Sequence, residues 1–126
     1  MLLPDSVIIR EPIKKHFLTI IFEDNDDVYS CIRQSIIENN LNKCFVEDCS
    51  GIIKNGLVNC FSGNCFKKID FCEKEISIAS GEFKLNNKKE LFGNLKIITK
   101  ERKPIQGTLV KGIAKNNLKI ILGFFK

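Results

Sequence analysis

Only one stretch of this chain carries a helical period, and nearly everything after it reads as short extended segments. Val28, Cys31, Ile32, Ser35 and Ile36 recur at the three- and four-residue spacing that puts apolar side chains on one helix face. The helix is expected to end near Asn39-Asn40. Ahead of it lies Glu23-Asp24-Asn25-Asp26-Asp27. Asp24 or Asn25 can accept the free N–H groups of the first turn, and the remaining carboxylates sit against the positive end of the helix dipole. A calcium loop would need ligands at alternate positions and a closing glutamate, which this run lacks.

The extended segments follow from period-two patterning and turn chemistry. His16 to Phe22 forms a strand before the helix. After it come Lys43 to Val46, then Gly51 to Phe61, with Asn55-Gly56 in the middle as either a tight turn or a bulge. Glu75 to Leu85 is interrupted by Ser80-Gly81. Asn86-Asn87-Lys88-Lys89 is a polar loop, Asn94 to Thr99 a strand, and Lys100 to Pro104 a charged turn. Thr108 to Ala114 and Leu118 to Phe124 flank Lys115-Asn116-Asn117, a hairpin turn because asparagine tolerates positive φ. The expected class is α+β, one main helix packed on a mixed, mostly antiparallel β-sheet. At 126 residues the chain is expected to be one domain.

The six cysteines (Cys31, Cys44, Cys49, Cys60, Cys65 and Cys72) read as reduced thiols behaving as small hydrophobes, because the chain opens without an export signal. Zinc knuckles use closer pairs than Cys44-x4-Cys49 and Cys60-x4-Cys65. No metal and no cofactor is expected. Apolar runs are too short to span a bilayer, so a cytoplasmic protein without a membrane partner is expected. No catalytic constellation stands out. His16 is the one imidazole and opens a strand, and Cys65 is the one thiol closely flanked by lysines, Lys67 and Lys68. The chain is read as a non-enzyme.

The net charge of +5 is uneven. Residues 1–63 carry six basic against nine acidic side chains, and residues 64–126 carry fourteen against six. A basic C-terminal half attracts phosphate, so DNA association is the alternative function. Lysine dominates, with Arg10, Arg33 and Arg102 the only arginines, so the bidentate forks that read bases are few.

Gly81-Glu82-Phe83, the strand Asn94-Leu95-Lys96-Ile97-Ile98-Thr99, and Ile105-Gln106-Gly107-Thr108-Leu109-Val110-Lys111-Gly112-Ile113-Ala114 together resemble the PPC (plants and prokaryotes conserved, DUF296) domain. Ser50-Gly51-Ile52-Ile53 after the helix and Leu118 to Leu122 at the close fit the same pattern, over about residues 8–122. The resemblance implies a homotrimer, with Gly81, Gly107 and Gly112 as structural glycines in sheet elements. Prokaryotic members often present metal-suited histidines where this chain has Asn94, Lys96 and Thr108, and a protonated lysine repels a cation. The resemblance therefore implies the fold without a metal site, and Asn94, Lys96 and Thr108 become candidates for a polar pocket that takes a small anion at a subunit boundary. Plant members add an AT-hook with an Arg-Gly-Arg-Pro core, and Arg102-Lys103-Pro104 lacks its glycine. The implied function is a stand-alone, non-enzymatic, homotrimeric assembly or binding module.

Overall fold

A computed structural model describes residues 13–62, 65–99 and 104–126; side chains 61, 62, 65, 66 and 72–74 fall outside the description. The elements are β1 (Lys15–Ile21), α1 (Val28–Glu38), β2 (Lys43–Ser50), β3 (Ile53–Ser62), β4 (Cys65–Leu85), β5 (Leu91–Thr99), β6 (Pro104–Ala114) and β7 (Lys119–Phe125). The charged turn at residues 100–103, with Arg102 and Lys103, lies outside the described residues, as do the Cys65 and Cys72 side chains.

The α+β expectation is corrected to a mainly β protein. The helix spans 11 residues, whereas β4 alone spans 21. The expected break at Ser80-Gly81 does not end the strand. The register slips by one residue between Ile78 and Ser80, and Gly81 takes φ 142° to carry the chain through the bulge. Asn55-Gly56 is likewise no turn: against β6, Lys54 to Leu57 takes three steps where Ile113 to Lys111 takes two, a bulge in β3 with Asn55 at φ 53°. Every named strand pairing is antiparallel, so the expectation of a mixed sheet is also corrected.

The order is β1-β7-β2-β4-β3-β6-β5, and β4 pairs with β5 as well. That extra pairing closes β4, β3, β6 and β5 on themselves. The first half of β4 pairs with β3 and the second half with β5, and Ile76 partners both Ile53 and Thr99. The turn at Lys115-Asn116-Asn117 is present, with Asn117 at φ 70° and Leu118 N–H bonded to the Lys115 carbonyl. It is not a hairpin, however. β6 stays in the closed ring, while β7 leaves it to pair with β1 and β2.

Val28, Ile32 and Ile36 are fully buried and carry the helix onto a core that includes Ile53, Val58, Leu95, Ile97, Leu118, Ile120 and Leu122. Asp27, rather than Asp24 or Asn25, caps α1 and accepts from the Tyr29 and Ser30 N–H groups. Asp26 instead accepts from Glu23 N–H at 2.8 Å and closes the preceding turn. The Leu91 N–H donates to the Tyr29 hydroxyl at 3.1 Å, and Arg33 Nε donates to the Lys89 carbonyl at 2.7 Å. The two bonds fix the helix against the start of β5 and the loop before it.

Candidate functional site

Strand alternation sorts the candidate residues onto one face. In β5, Leu91, Gly93, Leu95 and Ile97 are buried and Phe92, Asn94, Lys96 and Ile98 are exposed. In β6, Gly107 and Leu109 are buried, Gln106 is exposed and Thr108 is partly exposed. β5 and β6 pair through Leu95↔Gly107 and Lys96↔Gln106, so Asn94, Lys96 and Thr108 all point outward from neighbouring strands. Asn94 Oδ1 accepts from Gln106 Nε2 at 2.5 Å. Its amide N–H groups and the Lys96 ammonium, which has no ion pair among the described residues, remain available as donors. Thr108 pairs with Asn59 of β3, whose buried Oδ1 has no hydrogen-bond partner among the described residues.

None of the three lines the shallow cleft where β4 exchanges β3 for β5, which is formed by Gly51, Ile52, Glu75, Ile76, Ser77, Ile98 and Thr99. The glycines hold the surrounding sheet. A Cβ at Gly81 would sit 2.5 Å from the Asn94 carbonyl oxygen, and one at Gly107 would sit 2.6 Å from the Asn59 carbonyl oxygen. At Gly112 the closest atom, at 2.9 Å, is a methyl of Ile53.

A second surface was not singled out by the sequence. β1, β7, β2 and the end of β4 share an outward face in which Phe17 opposes Gly123, Gly123 opposes Phe45, and Phe45 opposes Glu82. In the next row Lys15 opposes Phe125. Phe17 is 62% exposed, Ile21 73% and Phe125 59%. The Phe45 and Phe125 rings meet edge to face, with centroids 6.4 Å apart. Lys15 lies over both the Phe17 and Phe125 rings and pairs with Glu47, which the β2 bulge lifts over Gly123. Lys43 covers Phe45 and pairs with Glu82 at 3.4 Å. The result is an apolar patch laced with charges of both signs. The sequence did carry a signal for it: Phe17 and Ile21 alternate with Leu18, Ile20 and Phe22, so β1 is apolar on both sides.

Chemistry elsewhere is muted. The four described cysteines are free thiols. Burial pushes the Cys44 thiol up to about 12, and burial also raises Cys31, Cys49 and Cys60. Neighbouring Asp26 and Asp27 add to the rise at Cys31, while Lys67 partly offsets it at Cys60. Thiols raised in this way hold almost no thiolate at neutral pH and are poor nucleophiles. His16 is a strand-end histidine whose ring stacks on Phe124 at 5.5 Å. No group of three or more potential metal ligands forms among the described residues, and no described helix is long and apolar enough to cross a membrane.

No protein-family model matches the chain, and neither does any curated protein. Solved structures do match. A plant- and prokaryote-conserved (PPC) protein from Pyrococcus horikoshii superposes with a TM-score of 0.65 at 13% identity, covering 94% of this chain and 85% of that one. A metal-containing protein from Archaeoglobus fulgidus gives 0.66 at 13% identity, over 90% and 80%. A protein from Ralstonia eutropha, named as a candidate DNA-binding protein, gives 0.63 at 12%, over 86% and 76%. At such identities the likeness is one of fold: this chain has the fold of the Pyrococcus PPC protein.

Proposed function

We propose that the chain is a non-enzymatic, homo-oligomeric binding module of PPC type, assembling as a trimer through the outer face of β1, β7 and β2. The observation that carries this reading is the contiguous exposure of Phe17, Ile21 and Phe125 beside Phe45. Large apolar side chains clustered on one rigid sheet face are what a subunit contact covers. A second copy fits because Lys15 and Lys43 alternate with Glu47 and Glu82, so the face can meet its own kind without opposing like charges. The number three rests on the sequence resemblance. Raised thiols and a stacked, strand-end histidine support a role without catalysis. Within the assembly, Asn94, Lys96 and Thr108 supply donors suited to a small anion where subunits meet. Light scattering decides the assembly: a trimer mass at micromolar concentration is expected, and a strict monomer overturns the reading. Phosphate titration followed by amide shifts at Asn94 and Lys96 tests the anion patch, and unmoved signals remove it.

The alternative, DNA association, draws on the basic second half and on the DNA-binding name of the Ralstonia protein. Lys68, Lys96 and Lys111 are exposed on β4, β5 and β6. Its signature is duplex binding that weakens steeply as salt rises, because phosphate contacts release counterions.

A further inference from the structure

Among the described residues, the strand at the end of the sheet has an open side. Lys14 and Lys126 exchange both backbone hydrogen bonds, and Phe22 N–H donates to the Leu118 carbonyl in the same register. In an antiparallel ladder such pairs alternate. His16, Leu18 and Ile20 therefore turn their backbone groups to β7, while Lys15, Phe17, Thr19 and Ile21 turn theirs away. Among the described residues nothing bonds to those outward groups. The usual protections of an edge are a proline, a bulge or a central charge. β1 has none of these: it pairs with β7 without a register slip, and its outward residues between Lys15 and the strand end are Phe17, Thr19 and Ile21.

We propose that the β1 edge pairs antiparallel with the β1 edge of a second copy of this chain, centred on Thr19, making one continuous sheet across a two-fold axis. Charge selects both the occupant and the direction. Lys14 stands exposed at one end of β1 and Glu23 just beyond the other, while their neighbours Lys15 and Asp24 are already paired with Glu47 and Lys54. Antiparallel pairing brings the basic end of each copy to the acidic end of its partner, whereas parallel pairing would oppose like charges. Centring on Thr19 sets Phe17 across from the partner's Ile21 and one threonine across from the other. Aromatic–β-branched and Thr–Thr pairs both stabilise antiparallel neighbours. The residues placed in each hydrogen-bonded pair are the ones with free backbone groups.

This contact is separate from the trimer face. If both operate, the two-fold joins two trimers. If the face reading fails, the edge alone gives a dimer. The test compares the full-length chain with Thr19→Lys and Thr19→Pro by light scattering from micromolar to millimolar concentration. Thr19 N–H makes no bond to β7, so proline there removes no internal ladder bond. Lysine sets two like charges directly across the axis, and it serves if proline perturbs the strand. The expected result is a wild-type mass twice that of Thr19→Pro at millimolar concentration, with Thr19→Lys no heavier than Thr19→Pro because its side chain also enters the outer face. Exchange of the Phe17, Thr19 and Ile21 amides should also slow about tenfold as wild-type concentration rises. Equal masses for wild type and Thr19→Pro at every concentration overturn the proposal. So does protection of those amides that is independent of concentration, which would mean the chain covers its own edge.

Discussion

Replacing Phe17 with serine separates assembly from folding. A phenylalanine buries roughly 200 Å² when fully covered, and Phe17 leaves 62% of its surface in water. About 120 Å² is then available to a partner, and at roughly 25 cal/mol per Å² its burial contributes about 3 kcal/mol to the contact. Removing it should weaken association about a hundredfold. The fold loses far less. The lost intramolecular terms are the Lys15 ammonium over the ring at 5.6 Å and cross-strand contacts, together worth about 1 kcal/mol or less. Phe125→Ser should behave alike, whereas Val110→Ser, exposed on β6 away from the patch, should leave the mass unchanged. Light scattering across a dilution series reads assembly, and thermal unfolding of the dilute, dissociated chain reads the fold. An unchanged mass for Phe17→Ser at every dilution would refute the assignment of this face. A loss of fold stability rivalling that of a core truncation, about 3–5 kcal/mol for Phe83→Ala, would refute the claim that the ring is surplus to folding.

Gly81→Ala should destabilise the chain by about 2–4 kcal/mol in denaturant titration, since positive φ and collision with the β5 backbone act together. Gly112→Ala, opposed by a movable methyl and lacking positive φ, should cost much less, and equal losses would discount the backbone collision. Cys44 makes stability fall above pH 9. Its thiol ionises near 9.0 when unfolded but at about 12 when folded, so the stability present below the lower value is lost as pH climbs between the two. Cys44→Ala should flatten that alkaline decline in pH-dependent unfolding, and an unaltered slope would assign the decline to other groups. Thiol reagents should modify Cys44 only at the rate of unfolding, which timed labelling with and without denaturant checks.

The helix was legible in the sequence because its signal is local: the spacing of Val28, Ile32 and Ile36 names the buried face without knowledge of partners. Its cap was not. Asp24, Asn25 and Asp27 are chemically equivalent as caps, and the choice falls to Asp27 because that residue also forms a bridge to Ile113, 86 positions away. The same limit governs the two glycine-containing breaks. A Ser-Gly or Asn-Gly pair permits positive φ, but whether the chain reverses or merely bulges depends on which strand lies alongside. At Gly81 the neighbour is β5, which continues past the irregularity on both sides and keeps β4 whole. At Lys115-Asn116-Asn117 the turn chemistry was right and the pairing wrong, because closure of β4, β3, β6 and β5 claims β6 for the ring.

The two surfaces divide along the same line. Asn94, Lys96 and Thr108 share a face because alternation along β5 and β6 requires it, and alternation can be counted in a sequence. The aromatic patch joins Phe17 to Phe125 across more than a hundred residues, through a β1–β7 register that no local pattern encodes. Alternation does state something weaker about β1. A strand with Leu18 and Ile20 toward the core and Phe17 and Ile21 outward satisfies only one of its apolar sides by folding. Solvent on the other side is costly, at about 25 cal/mol per Å² of apolar surface. The cost falls when another surface covers that side. A strand apolar on both faces, with a backbone edge that no described residue covers, is thus incomplete in two directions, perpendicular to the sheet and within its plane. Phe125→Ser, on β7, reports on the first and Thr19→Pro, which alters the backbone edge, on the second, so the pair of experiments can find either contact without the other.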